Sequence, residues 1–219
     1  MAQKITSLIL KSIVFLSAAI GVILQAVADY KLLLYFTLQS NIWIAATCAV
    51  GFALMLLNKP ISKWMYSVKL IFTVSITLTG VVYCSMLAPY MGAEAYSLSN
   101  TLMHVVVPLA AVADFFVCPC NVRYRWWECF TVTIPPFYYL GFAGIGYALN
   151  WDFGFGGQNY PYFFLNWGSP AGAFGFSAES PYIGVFYYVL ILLVFVVGMG
   201  ALYIALANHK IYRQTLKTY

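Results

Sequence analysis

Six apolar runs, each close to the roughly 20 residues that an α-helix needs to cross a bilayer, decide what this chain can become. They cover about residues 6–28, 32–57, 64–87, 101–118, 129–148 and 181–207. No stretch shows the alternating ten-residue pattern of an outer-membrane barrel, so helices are the spanning elements. With 63% hydrophobic and 8% charged residues, the chain lacks the polar side chains to coat a water-soluble globule of its size. The expected fold is therefore all-α and polytopic: one six-helix membrane domain over residues 1–219. Connections are short apart from a Gly- and aromatic-rich stretch at 149–180, and there is no internal repeat.

The first run has a second reading. Lys4 and Lys11 precede an apolar core that ends in AVAD, Ala26 to Asp29, which resembles a signal-peptidase site. Its core is longer than that of a usual leader, so it is read as a retained helix.

Basic residues orient the helices. A cytoplasmic N-terminus collects Lys4, Lys11, Lys59, Lys63, Lys69, Arg123, Arg125, Lys210, Arg213 and Lys217 on the inside, against Glu128. Outside fall Lys31, Asp29, Glu94, Asp152 and Glu179. Both termini are thus expected in the cytoplasm, with 149–180 as an external loop. The net charge of +5 is a topology signal and makes no case for nucleic acid. Trp64, Trp126 and Trp127 at inner ends, and Trp151, Tyr160, Tyr162 and Trp167 at the outer boundary, read as interfacial anchors.

Against this frame the stretch YFTLQSN, Tyr35 to Asn41, is out of place. Thr37 falls roughly 8 Å below the outer boundary if the helix starts near Leu32. His104 enters from the same side in the fourth segment and lies about as deep. Thr37, Ser40 and Asn41 share a helix face, and Asn100 stands one turn above His104. Two readings follow. Such side chains commonly hydrogen-bond one membrane helix to another. Alternatively, a Thr hydroxyl with a neighbouring imidazole base is a nucleophile for acyl carbon.

The segments YFTLQSN, LMHVVVPLAAVADF (Leu102 to Phe115) and YPYFFLN (Tyr160 to Asn166), in this order on six helices, resemble one family of membrane hydrolases. It is the androgen-induced family, which includes the androgen-dependent regulator of tissue factor pathway inhibitor, and the likeness is to its bacterial branch. The resemblance implies a threonine hydrolase of fatty acid esters of hydroxy fatty acids. It places the nucleophile on Thr37 and the essential histidine on His104, behind Met103.

Asp114 lies ten residues, or roughly 15 Å of helix, below His104 and cannot orient its ring. It is expected to be structural, pairing with an inner-side base such as Arg123 or Arg125 or bonding another helix. A Thr–His dyad is therefore expected in place of a three-part device. With backbone amides engaged in helices, oxyanion donors would be side chains, and Gln39, Asn41 and Asn100 have suitable groups. Ser40, Tyr160 and Asn166 complete the set of substrate-binding candidates. No G-x-S-x-G elbow occurs, and His104 and His209 sit at opposite faces, so neither an α/β-hydrolase nor a zinc site is expected.

Of the five cysteines, Cys118, Cys120 and Cys129 fall on the reducing side, and Cys48 and Cys84 lie inside helices, most simply as packing residues. Gly141, Gly144 and Gly146 are expected to allow close helix packing; Pro108 and Pro135-Pro136 are expected to bend helices and open a cavity, with the 149–180 loop as its cap. The sequence thus points to hydrolysis of a lipid ester near the outer face of a bacterial-type plasma membrane. Neither a cofactor, a metal nor an obligate protein partner is expected. The alternatives are lipid or small-molecule binding or transport without catalysis, and acyl transfer by the same two residues.

Overall fold

The computed structural model of the protein describes residues 2–118, 122–154 and 156–216. Five helices are long and apolar enough to cross a membrane: α1 (Ala2–Ala28), α2 (Phe36–Leu56), α3 (Lys63–Tyr96), α4 (Leu98–Val117) and, last in the chain, one within Val185–Leu216. The other predicted span is split. A turn of helix at Glu128–Thr131 gives way at Val132 and Thr133 to α5 (Ile134–Ala148), whose 15 residues reach about 22 Å. Pro135 and Pro136 explain the break, because proline has no N–H to continue a helix and is tolerated only in its first turn. The helix Val185–Leu216 is α6. Described residues form no β-strand, only one isolated bridge between Phe176 and Ile183. The molecule is an all-α, membrane-embedded polytopic protein.

Cross-links at the two ends show the helices alternating in direction. At one end Lys4 bonds Asn58, Tyr124 bonds Asn208 and the Tyr66 carbonyl, and Lys210 bonds the Phe116 carbonyl. Lys59, Lys63, Arg123, Arg125 and Arg213 belong to this basic end. At the opposite end Gln25 bonds Ser99, Tyr139 bonds the Leu34 carbonyl, and Lys31 pairs with Asp152. This is the loop end. Exposed Trp64, Trp126 and Trp127 sit at the basic end, whereas Trp151 packs on Phe142 and Trp167 on Tyr147 at the other.

Two departures at element level shape the site. The second helix starts at Phe36, four residues later than expected, because Tyr30–Leu34 is a 3-10 turn capped by Asp29 and Tyr35 is extended. Thr37 therefore lies in the first turn of α2 and not five residues into it. Helices α3 and α4 each contain a π-turn, Tyr83–Leu87 and Leu102–Val106. In α4 the cause is Pro108: it has no N–H to offer the His104 carbonyl, so Val107 N–H reaches back five residues to the Leu102 carbonyl.

Small residues on α1 let it lie close to α4. A Cβ at Gly21 would meet Met103 Cγ at 2.5 Å. Gly146 likewise admits Phe153, but Gly141 and Gly144 have nothing within 4 Å of a Cβ, so their expected packing role falls away. One core cluster joins α1 to α4 around Val14, Ile44, Ile76 and Val107; a larger one joins α3 to α6 and the long loop around Leu70, Val74, Tyr139 and Ile204. Phe153, Phe164 and Leu165 bury loop side chains in the bundle, which makes the 149–180 loop a built-in cap.

Candidate functional site

Because Thr37 is in the first turn of α2, its backbone N–H has no intrahelical carbonyl to bond. That amide donates to the Tyr162 hydroxyl at 3.3 Å, and the Thr37 hydroxyl lies 3.4 Å from the same oxygen. Tyr162 reaches down from the loop, stacked on Phe164 at 5.1 Å, edge-on to Tyr35 at 5.4 Å and tilted against Tyr139 at 6.1 Å, so three rings fix its direction. Burial pushes the Tyr162 phenol above its ordinary range, which keeps it protonated and able to donate at neutral pH. Backbone amides are thus available here, contrary to the expectation that helices would engage all of them.

Thr37, Thr79, Tyr139 and Tyr162 supply the polar groups of an open cleft that encloses about 690 Å³, part of it continuous with the surroundings. Its remaining wall is apolar, with Leu78 and Val82 from α3, Phe137 and Leu140 from α5, and Val189 and Leu192 from α6. Pro136 also lines it, where α5 restarts.

His104 sits in the π-turn of α4, buried, with its ring stacked on Tyr83 at 3.6 Å between centroids. The stacked partners come from the two π-turns. Nδ1 of His104 lies 3.0 Å from the Asn100 carbonyl, which can only accept, so Nδ1 carries the proton and Nε2 of the neutral ring holds the lone pair. This is the tautomer of a base acting through Nε2.

Thr37 and His104 are not hydrogen-bonded to each other; they face Tyr162 and Tyr83 respectively. Asn41 connects their segments: its Nδ2 donates to the Thr37 carbonyl at 2.8 Å and reaches the Met103 carbonyl at 3.4 Å, while its buried Oδ1 has no protein partner. Ser40 bonds the Thr37 carbonyl and Thr79 Oγ1, tying α2 to α3. Gly80, next to Thr79, allows α3 to touch α4, since a Cβ there would lie 3.0 Å from the His104 carbonyl oxygen and 3.1 Å from the Pro108 ring.

Other expected site residues stand apart. Gln39 Nε2 lies 3.4 Å from both the Leu33 and Leu34 carbonyls, closing the 3-10 turn. Asn100 bonds the Glu94 carbonyl through its side chain and meets His104 only through its backbone. Asn166 accepts from Gly168 N–H in a local turn. Tyr160 is half-buried in the loop; Tyr162, two residues on, is the ring at Thr37. Asp114 pairs with two bases of the inner-side set on other helices, Lys11 and Lys69, in place of Arg123 or Arg125. Cys48, Cys84, Cys118 and Cys129 form no disulfide, and Cys120 lies outside the described residues.

Tyr162, read from the sequence as an interfacial anchor, instead meets Thr37, and Thr79 and Tyr83 were not singled out by the sequence. The YPYFFLN segment was a signal for the first; periodicity, which resolves helix faces, cannot say which tyrosine of a loop points inward. No family model matches this chain, and neither does any curated protein or solved structure.

Proposed function

We propose that this protein is a membrane-embedded lipid ester hydrolase, with Thr37 as nucleophile and His104 as base. The observation that carries the reading is the placement of the Thr37 hydroxyl on the wall of a largely apolar cleft, beside its own helix-terminal amide and the Tyr162 phenol to which that amide donates. The resemblance of YFTLQSN and the Met103-His104 pair to a threonine hydrolase family supports it.

In this mechanism Thr37 Oγ1 attacks the ester carbonyl and its proton passes to His104 Nε2 through one water or after rotation of the Thr37 side chain. The negative charge that develops on the carbonyl oxygen is met by the Thr37 N–H and the Tyr162 O–H, aided by the positive end of α2. His104 returns the proton to the departing alkoxide as the ester C–O bond breaks. Water then attacks the acyl-threonine, gives a proton to His104, and releases the fatty acid as Thr37 is restored. The acyl chain occupies the wall formed by α3, α5 and α6. Positive-inside orientation puts both termini in the cytoplasm and the site toward the outer leaflet of a bacterial-type plasma membrane.

One observation favours a second reading. Thr37 and His104 face different neighbours, and a cavity that only binds a lipid chain, with its polar head at Thr37 and Tyr162, needs no contact between them. Acyl transfer to an acceptor other than water would use the same residues as hydrolysis. The deciding experiment is fluorophosphonate labelling of the purified protein, with mass spectrometry of the modified peptide. Modification of Thr37, lost in folded Thr37→Ala and His104→Ala variants, is expected for the hydrolase. A well-folded protein that takes no label identifies the binding reading.

A further inference from the structure

Between Asp152 and Lys210 the only charged side chain is Glu179, so the end of the long loop and the helix after it carry almost no charge. Backbone hydrogen bonds fold residues 172–184 into a short hairpin: Ser177 N–H donates to the Tyr182 carbonyl and Gly184 N–H to the Gly175 carbonyl, both at 2.9 Å. The hairpin is seated on the first turn of α6. There Val185 N–H donates to the Gly172 carbonyl at 3.1 Å and Phe186 N–H to the Ala173 carbonyl at 3.0 Å, satisfying amides that a helix start leaves open. Gly184 permits the fit, since a Cβ there would stand 2.4 Å from the Ala173 carbonyl oxygen. The helix beneath thus fixes the hairpin's position.

Its rings face away from the protein. Phe174, Phe176 and Tyr182 are 68%, 73% and 59% exposed, whereas the same loop buries Phe153, Phe164 and Leu165 in the bundle. Phe174 packs on Phe186 at 5.3 Å and Phe176 on Tyr187 at 5.2 Å. Phe186 is itself exposed and begins a face of α6 that continues at four-residue spacing through Leu190 and Val194. In a membrane-embedded bundle that face meets lipid. The height of the hairpin follows from helix length. About 20 residues of α-helix cross the hydrocarbon core. Counted back from Ala207, the last apolar residue before Asn208, His209 and Lys210 at the basic end, they reach Tyr187. Phe174 and Phe176 therefore lie level with the boundary between acyl chains and headgroups.

We propose that this hairpin is a membrane contact, which inserts Phe174, Phe176 and Tyr182 into the lipid leaflet at the loop end, at the base of the headgroups. The bilayer itself is the partner. With Glu179 the only charge, insertion is apolar and does not select anionic headgroups. The cap over Thr37 is then held from two sides, by Phe164 and Leu165 within the bundle and by these rings in lipid. The contact operates whatever the chemistry at Thr37.

The photoreactive amino acid p-benzoylphenylalanine, in place of Phe176 in the full chain reconstituted in phosphatidylcholine vesicles, tests this. Irradiation joins the probe to a C–H bond lying against it, and mass spectrometry of the digested protein identifies the product. A phosphatidylcholine adduct is expected, at a yield comparable to that from the same probe at Val194 and well above that from Gln158, exposed elsewhere in the loop. Equal yields at Phe176 and Gln158 make lipid contact general to the loop and overturn the hairpin's role. A covalent dimer in place of the lipid adduct makes the patch an interface between copies, and a probe that joins no lipid places the hairpin clear of the membrane; either result overturns the proposal. Should the chain not fold with the probe at Phe176, the probe at Tyr182, on the same hairpin, gives the same decision. Adding phosphatidylglycerol to the vesicles is expected to leave the total lipid yield unchanged; a rise with anionic lipid overturns the apolar mode of contact.

Discussion

Tyr162 approaches Thr37 from outside α2 and touches both its amide and its hydroxyl, two groups that neighbouring residues of one helix turn cannot address together. If the phenol stabilises developing charge, Tyr162→Phe removes one donor without emptying the aromatic stack. The expected result is a fall of about 100-fold in the rate of fluorophosphonate modification, with Tm nearly unchanged. Asp114 presents the opposite case. Replacing it by Asn leaves two buried ammoniums without their counter-ion, and about 3–5 kcal/mol of stability is expected to be lost, measured by unfolding in a detergent titration. Asp152, exposed and held below the ordinary carboxylate range chiefly by its hydrogen bond from Lys31, contributes in another pH window. Its depressed value makes its share present at neutral pH and lost only as pH falls through the folded value. Lys31, raised above 10.5, keeps its share until pH rises past that. Loop protection against protease is therefore expected to be flat from about pH 5 to 9. At this scale the sequence was informative about depth and silent about direction. Thr37 and His104, read as lying at one level, meet different neighbours, Tyr162 and Tyr83, and their segments are joined through Asn41. Lys11 and Lys69 look like interfacial anchors by position, and their burial follows only from where Asp114 lands on another helix.

Helical elements were legible in existence and order, because hydrophobic length marks them, and less so in their internal register. Hydropathy does not distinguish the 3-10 turn at Tyr30–Leu34 from α-helix, so the start of α2, and with it the first-turn amide of Thr37 that bonds Tyr162, was hidden. Pro108 and Pro135-Pro136 were visible as perturbations, but a widened turn and a restarted helix are different outcomes of the same missing N–H, chosen by packing. Two substitutions probe the α3–α4 seam. Gly80→Ala sets a methyl against the His104 carbonyl and the Pro108 ring, neither of which can swing away, and about 1–3 kcal/mol of destabilisation is expected in the same detergent titration. Pro108→Ala restores an N–H that can bond the His104 carbonyl and close the π-turn. His104 is then expected to leave Tyr83, with loss of Thr37 labelling while Tm holds or rises.

Across the whole molecule, α1 to α4 build a tight half that contains the buried charges, and α3, α5 and α6, with the first turn of α2, enclose the apolar cleft. Filling that cavity separates chain-length selection from chemistry. If the protein is the proposed hydrolase, Leu192→Trp is expected to abolish turnover of long-chain esters and leave short acyl esters cleaved, as read from rates across a chain-length series. The cavity wall at Phe137 is exposed on the surface that faces lipid. A ligand reaching Thr37 by that route never leaves the bilayer, so its encounter with the protein is a two-dimensional search. Rates would then track the mole fraction of ester among the surrounding lipids, and dilution with inert lipid would slow the protein even when the total amount of ester in the tube stays the same.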